Sequence, residues 1–135
     1  MEKYNLIPSC LGGNSDVGRR PGKDMTEDEI ISYIERQVIS AKKLGFPVLR
    51  IQAFIGPDMF EKLAPIAEKA EVQIGPELHA PLAAGHPVVE ALLERYQKVG
   101  SPFLGFVPDF SSVMVKPPDI YWDSLRSSGV PESLV

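Results

Sequence analysis

The stretch VQIGPELH, Val72–His79, is followed by HPVVEALLERYQKVG, His86–Gly100, and this pair sets the pattern of the fold. The first segment is a short apolar run bounded by turn residues, which is typical of a buried strand. The second segment has apolar residues at helical spacing, with Pro87 suited to its first position and Gly100 to its end. The pair therefore predicts a strand followed by a helix.

The same strand–helix pattern occurs three more times along the chain. The other predicted strands are Tyr4–Leu11, Pro47–Gln52 and Phe103–Phe110, and their predicted helices are Thr26–Gly45, Gly56–Ala70 and, approximately, Pro118–Ser128. Thr26 and Glu29 have the spacing of a capping box, in which each side chain satisfies a backbone N–H of the other. Pro65 lies inside the second predicted helix and predicts a kink or two short pieces.

Strands and helices that alternate at roughly 30 residues form parallel βαβ units. Two architectures satisfy this pattern: an open doubly wound sheet, or part of a (β/α)8 barrel. The loop GGNSDVGRRPGKD, Gly12–Asp24, lacks the G-x-G-x-x-G fingerprint and is not followed directly by a helix, which disfavours nucleotide binding. Arg19 and Arg20 in this loop can either contact a phosphate or lie in solvent, and the sequence favours the solvated loop.

The composition is that of one ordinary domain spanning residues 1–135, with 44% hydrophobic and 24% charged residues. The net charge of −4 argues against nucleic acid as a partner. No apolar run approaches the roughly 20 residues that cross a bilayer, so we expect no membrane association and no signal peptide. A single cysteine, Cys10, excludes an internal disulfide and is consistent with a cytoplasmic location.

Polar side chains lie where the predicted strands end. Arg50 and Gln52 end the second strand, Glu77 and His79 end the third, and Asp109 ends the fourth. In parallel α/β folds the carboxyl ends of the strands form the active site. Two carboxylates with a nearby histidine suit Mn²⁺, Mg²⁺, Zn²⁺ or Co²⁺ better than a metal that prefers thiolates.

Each of these residues also has a structural interpretation. Arg50 can pair with Glu77 across neighbouring strands or bind a substrate oxygen, and His79 can be a hydrogen-bonded pocket residue. The two acids can serve as loop residues or helix caps. Elsewhere in the chain the structural interpretation is favoured for a small set: His86 at the start of a helix, and Cys10, Tyr96 and Trp122 as buried side chains.

The segments LGFPVLRIQ (44–52), VQIGPELHAP (72–81) and SPFLGFVPDFSS (101–112) resemble the xylose-isomerase-like TIM-barrel superfamily of sugar isomerases, sugar-phosphate epimerases and type-2 apurinic endonucleases. The resemblance implies that Glu77 is a metal ligand that also exchanges protons, and that Asp109 is a second ligand. It implies that His79 lines the pocket. The histidine that commonly follows such an aspartate is replaced by Ser112.

The resemblance covers only four of the eight units of such a barrel. It therefore implies a parallel (βα)4 half-barrel corresponding to strands three to six, in which the remaining ligands belong to missing strands. Such a half-barrel exposes sheet edges and apolar flanks, so we expect it to self-associate or to bind a complementary chain that completes the barrel.

By this resemblance, the chain is a module of a divalent-metal-dependent isomerase or epimerase acting on a sugar or sugar phosphate through an enediolate. Arg50, Gln52 and His79 are then the candidate contacts to substrate oxygens, and Glu77 is the candidate base. Two alternatives stay open: a truncated or non-catalytic structural subunit of a TIM-barrel assembly, and an unrelated small α/β binding protein.

Overall fold

The computed structural model describes residues 2–15, 22–52 and 55–134. Arg19 and Arg20, the alternative phosphate contacts, lie outside these ranges. Helices and strands alternate as the sequence predicts: β1 Leu11–Gly13, α1 Glu27–Leu44, β2 Val48–Ile51, α2 Pro57–Ala70, β3 Gln73–Leu78, α3 Pro87–Val99, β4 Val107–Pro108 and α4 Asp119–Ser127. Short 3-10 helices cover Glu2–Tyr4, Phe110–Val113 and Glu132–Leu134.

The sheet is parallel throughout and its strands follow chain order, β1-β2-β3-β4. Helix α1 packs against α2 and α2 packs against α3, so these helices cover one face of the sheet. A doubly wound sheet distributes its helices over both faces, whereas a barrel keeps them all outside. The arrangement is therefore that of a partial barrel with its inner face open.

The core lies between α1–α3 and the outer face of the sheet. Strand residues alternate between the faces, so Leu49 and Ile51 are buried beneath the helices while Val48 and Arg50 occupy the inner face. The helices contribute further large, fully buried side chains: Ile34 and Val38 of α1, Phe60 and Leu63 of α2, and Leu92 of α3.

The helix ends confirm the predicted signals. Thr26 and Glu29 form the capping box: the Glu29 N–H donates to the Thr26 hydroxyl at 3.3 Å, and the Thr26 N–H donates to the Glu29 carboxylate at 2.9 Å. Gly45 and Gly100 close α1 and α3 in the left-handed conformation, with φ of 79° and 69°. His86 caps α3 by accepting the Val88 N–H, as its position at the start of the helix predicts.

Two strand predictions are wrong in extent. The first strand is Leu11–Gly13 rather than Tyr4–Leu11, because Asn5 has a φ of 55° and Pro8 lacks an N–H to donate. The side chains of Tyr4, Leu6 and Ile7 are exposed, since no helix covers them. The fourth strand shortens to Val107–Pro108, preceded only by an isolated bridge between Leu104 and Ile74.

Three smaller predictions also need correction. Helix α2 continues through Pro65, which lies on its exposed side where water can replace the lost hydrogen bond, so the division into two pieces is wrong, whereas the kink stays a prediction. Trp122 is only partly buried, since no residue of α4 is buried in the core. Cys10 is partly exposed because it precedes the paired residues of β1. Tyr96 is buried, as predicted.

No helix among the described residues is long and apolar enough to cross a membrane.

Candidate functional site

The inner face carries an ion pair between neighbouring strands. Arg50 of β2 is in register with Gly75 of β3, and Glu77 lies two residues further along β3 on the same face. The Arg50 guanidinium donates through Nη1 to Oε1 of Glu77 at 2.7 Å. The pairing proposed from the sequence is therefore present.

Glycines on the neighbouring strands leave space for the side chain of Arg50. A Cβ on Gly12 of β1 would lie 3.3 Å from Nη2 of Arg50, so the guanidinium extends across this glycine. Gly75 has no side chain to compete for the same face, and a Cβ there would collide with the carbonyl oxygen of Gly105. Small residues on both neighbouring strands thus let a long cationic side chain lie against the sheet.

The Arg50–Glu77 pair is partly buried, and one of its hydrogen-bond donors has no acceptor. The Glu77 side chain is 11% exposed and that of Arg50 33%. Nε of Arg50 is buried and donates to no group in the described chain, and the ion pair uses only Oε1 of Glu77. A buried N–H without an acceptor is costly, so this site favours a ligand that supplies an oxygen.

Asp109 lies at the end of β4, beside the end of β3. Its N–H donates to the Leu78 carbonyl at 2.7 Å, which continues the strand pairing by one residue. One carboxylate oxygen accepts the Ser111 N–H at 2.8 Å and so caps the 3-10 helix Phe110–Val113. Hydrogen bonds from Ser111 lower the pKa of Asp109, with smaller contributions from the charges of His79 and Arg50. Asp109 therefore lies within electrostatic reach of both residues.

His79 and Gln52 are exposed at the same edge of the sheet. Nδ1 of His79 lies 2.9 Å from the Ala80 carbonyl oxygen. If Nδ1 carries the proton donated to that carbonyl, the neutral ring presents Nε2 as an acceptor. The Gln52 N–H donates to the Gly13 carbonyl at 3.0 Å, and this bond holds the end of β2 against β1.

A clamp at the end of β1 was not predicted. The side-chain amide of Gln37, on α1, accepts the Asn14 N–H at 2.9 Å and donates to the Asn14 carbonyl at 2.7 Å. A Cβ on Gly13 would collide with the Gln37 oxygen, so the glycine makes the contact possible. The only signal in the sequence is a glutamine beside Val38 and close to the apolar face of α1, and that signal is weak.

The two acids predicted as metal ligands lie on neighbouring strands, and two are fewer than a metal site needs. Glu77 and Asp109 end neighbouring strands and offer the carboxylate oxygens that hard divalent ions prefer. Within residues 2–15, 22–52 and 55–134, no three His, Cys, Asp or Glu side chains form a group able to hold a metal. The donor chemistry fits a divalent ion, but the number of donors corresponds to part of a coordination sphere.

The chain is similar in sequence to the alpha subunits of deglycosidases. It is 39% identical over 135 residues to a 3'-dehydrocarminate deglycosidase alpha subunit of Microbacterium sp, covering all of this chain and 39% of that protein. C-glycoside deglycosidase alpha subunits of Microbacterium trichothecenolyticum and Arthrobacter globiformis are 39% identical over 135 and 132 residues, covering 100% and 98% of this chain and 37% of each relative. The chain thus spans less than two-fifths of the length of these relatives. No protein-family model matches the sequence.

A solved structure shows the fold. The crystal structure of the IOLI protein with a bound zinc atom matches 78% of this chain and 43% of its own length, with a TM-score of 0.54 and 19% identity. Identity at that level establishes fold alone. This chain therefore has the fold of part of a xylose-isomerase-like TIM barrel, as its resemblance in sequence implied.

Proposed function

We propose that this chain is part of a carbohydrate-processing enzyme and supplies half of a divalent-metal and sugar site at the carboxyl ends of β2, β3 and β4. The observation that carries the proposal is the Arg50–Glu77 pair on the inner face, with its unsatisfied Nε, beside Asp109 on the next strand. In a barrel of this type the inner face at this end of the strands is the active site.

The rest of the site has to come from further strands. The relatives are alpha subunits more than twice as long as this chain. Their additional length leaves room for further strands, and such strands, in the same polypeptide or in a partner chain, would supply the missing ligands. The IOLI structure contains zinc, which supports Zn²⁺ as one candidate beside Mn²⁺, Mg²⁺ and Co²⁺.

The proposed chemistry begins at a carbon beside a ketone. A divalent ion, when bound, would polarise the carbonyl of a hydroxy-ketone sugar and make the neighbouring C–H acidic. Glu77 takes that proton through the carboxylate oxygen that Arg50 leaves free, and an enediolate results. Arg50, His79 and Gln52 bind the sugar oxygens and hold the C–H bond towards the base.

The fate of the enediolate distinguishes the candidate reactions. Returning the proton at the neighbouring carbon gives isomerisation, and returning it on the opposite face gives epimerisation. In a C-glycoside that carries a ketone at C3', the enediolate formed by loss of the C2' proton can instead expel the aglycone from C1', as a C1'=C2' double bond forms and the C3' carbonyl is restored. The electron pair of the broken C–C bond leaves with the aglycone carbon, which then takes up a proton. The names of the relatives favour this cleavage.

Metal binding tests the proposal. Calorimetric titration of the chain with Mn²⁺ or Zn²⁺ should show binding that Glu77→Gln and Asp109→Asn each weaken by at least about tenfold. Glu68→Gln, on the exposed side of α2, is the matched control and should leave the affinity unchanged. Equal affinity in the wild-type chain and the three variants would show that the metal does not bind at this edge of the sheet.

A non-catalytic subunit is the second candidate, because the described residues hold no group of three metal ligands. The likeness in fold and the similarity to deglycosidase alpha subunits argue against the other alternative, an unrelated α/β binding protein. Adding the remaining barrel strands, joined to the chain or as a second polypeptide, separates the two candidates. A catalytic module then gains turnover that depends on Glu77, while a structural subunit gains only stability.

A further inference from the structure

A groove between α1 and α2 lies on the outside of the half-barrel, away from the proposed metal site. Its volume is about 510 Å³. The floor is apolar and the rim is mostly basic: the floor is Ile39, Pro65, Ile66 and Ala70, and the rim is Glu35, Lys42, Lys43 and Lys69. Lys42, Lys43 and Lys69 all belong to the last turns of their helices.

The basic rim is not neutralised within the chain. Lys42 pairs with Glu71 at 2.6 Å, but Lys43 and Lys69 have no ion-pair partner among residues 2–15, 22–52 and 55–134. The next groove, between α2 and α3, differs because Arg95 of α3 bonds both Asp58 and Glu61 of α2. The α1–α2 groove therefore combines exposed apolar surface with unpaired positive charge, which selects an apolar segment that carries acids.

Helix α4 carries a surface of the opposite charge. Asp119, Ile120 and Asp123 lie on one side of this helix, since Asp123 is four positions from Asp119 and three from Ile120, and such positions are neighbours on a helix surface; we call them the α4 stripe. Ile120 is 75% exposed, and no residue of α4 is buried. The acids contact Lys116 and Arg126 only in exposed pairs of 3.7 and 3.3 Å, which contribute little in water.

The two surfaces of one chain lie apart. The groove is formed by the helices flanking β2 and lies at their carboxyl-terminal turns, near the amino ends of the strands. Helix α4 instead follows β4 at the edge of the sheet and leaves from the carboxyl end of that strand. A match between groove and stripe thus requires two molecules.

We propose that the α1–α2 groove is the docking site for helix α4 of a second copy of this chain. Ile120 enters the apolar floor between Ile39 and Ile66, while Asp119 and Asp123 reach Lys43 and Lys69. This is recognition of an amphipathic helix by a groove, with charge fixing the register. The contact joins unlike surfaces, so a pair of molecules keeps one free groove and one free α4 stripe between them, and association can continue beyond a dimer.

Charge exchange tests the contact. Sedimentation of the full chain over a concentration series should show self-association that weakens as salt increases. The groove variant Lys43→Glu/Lys69→Glu and the helix variant Asp119→Lys/Asp123→Lys place like charges opposite each other, so each alone should lose at least about tenfold in association constant. An equimolar mixture of the variants restores opposite charges in both contacts and should associate again. Lys98→Glu, an exposed change on α3, is the control for net charge.

Each outcome decides the proposal. All of these changes are at exposed positions, and circular dichroism verifies that the variants stay folded. Weakened single variants with a restored mixture establish the contact. A monomeric wild-type chain at every concentration overturns it, as does self-association that neither variant affects. If the groove variant alone dissociates while the helix variant does not, the groove has another occupant and α4 is excluded.

Discussion

The first three strand–helix units and the fourth unit differ in what they bury. Helices α1, α2 and α3 each place several apolar side chains in the core, whereas α4 places none. The strands differ in the same way, because β3 pairs with β2 over four residues and with β4 over only two. A helical pattern of apolar residues therefore yields burial only where a neighbouring element covers it, and the fourth unit lacks that cover.

The same difference in packing separates the two acids of the candidate site. Glu77 lies in the well-packed part and is held by Arg50, while Asp109 lies in the exposed fourth unit and is held mainly by Ser111. Half of the proposed ligand set is thus fixed by the core and half by a local cap. A polypeptide segment that completes the barrel should therefore change the position and exposure of the Asp109 side chain more than those of Glu77.

Removing a core side chain should have the largest effect. Phe60 is fully buried, so Phe60→Ala should lower the free energy of unfolding by about 3–5 kcal/mol. Val115, in the fourth unit, is fully exposed, and Val115→Ala should change it by less than about 0.5 kcal/mol. Urea denaturation of both variants measures the contrast, and similar values would mean that the fourth unit is packed as well as the others.

A methyl group at Gly75 should have the next largest effect. Its Cβ would collide with the carbonyl oxygen of Gly105, so Gly75→Ala should cost about 1–3 kcal/mol and loosen β4 from β3. Gly105→Ala is a close control, since nothing lies within 4 Å of a Cβ there. A Gly75→Ala protein as stable as Gly105→Ala would contradict the close approach of the chain before β4 to β3.

Removing the Tyr96 hydroxyl should have a smaller effect on the free energy of unfolding, and it should not lower it. This hydroxyl is buried, lacks a hydrogen-bond partner in the described chain, and burial raises the pKa of Tyr96. Tyr96→Phe should therefore leave stability unchanged or raise it by about 1 kcal/mol. The ring contacts with Phe60 and Phe106 persist in this variant. A clear loss of stability in thermal denaturation would show that the hydroxyl has a partner.

The titration of Asp109 should give the smallest effect. Its pKa is lowered in the folded chain, so its contribution to stability is present above the unfolded-state pKa and is lost as pH falls through the folded-state pKa. NMR titration should give a midpoint below the ordinary value of about 3.9. Ser111→Ala removes the side-chain hydrogen bond, the first cause of the shift, and should raise that midpoint. An unchanged midpoint would exclude the Ser111 hydroxyl as the cause.

Local signals in the sequence predicted the units that pack well. Thr26 with Glu29, Pro87 and Gly100 each act within a few residues, so their outcome is readable from the chain alone. The pairing of Arg50 with Glu77 also followed, because strand ends at one edge of a parallel sheet converge.

The remaining features depend on contacts distant in sequence. The start of β1 is set by its pairing with β2, and the partial burial of Trp122 by how α4 packs against the rest of the chain, neither of which a local pattern contains. The Gln37–Asn14 clamp joins residues 23 positions apart and depends on the missing side chain of Gly13. A single sequence gives little sign of such contacts.

Metal binding at Glu77 and Asp109 can be observed in a crystal structure of the chain grown with Mn²⁺ and measured at a wavelength where manganese scatters anomalously. If Glu77 and Asp109 bind the metal, we expect a peak at the carboxyl edge of the sheet, within about 2.6 Å of a carboxylate oxygen of Glu77 or Asp109, and its loss in Glu77→Gln. A peak bound elsewhere, or one that persists unchanged in Glu77→Gln and Asp109→Asn, would contradict the assignment of these acids to a metal site.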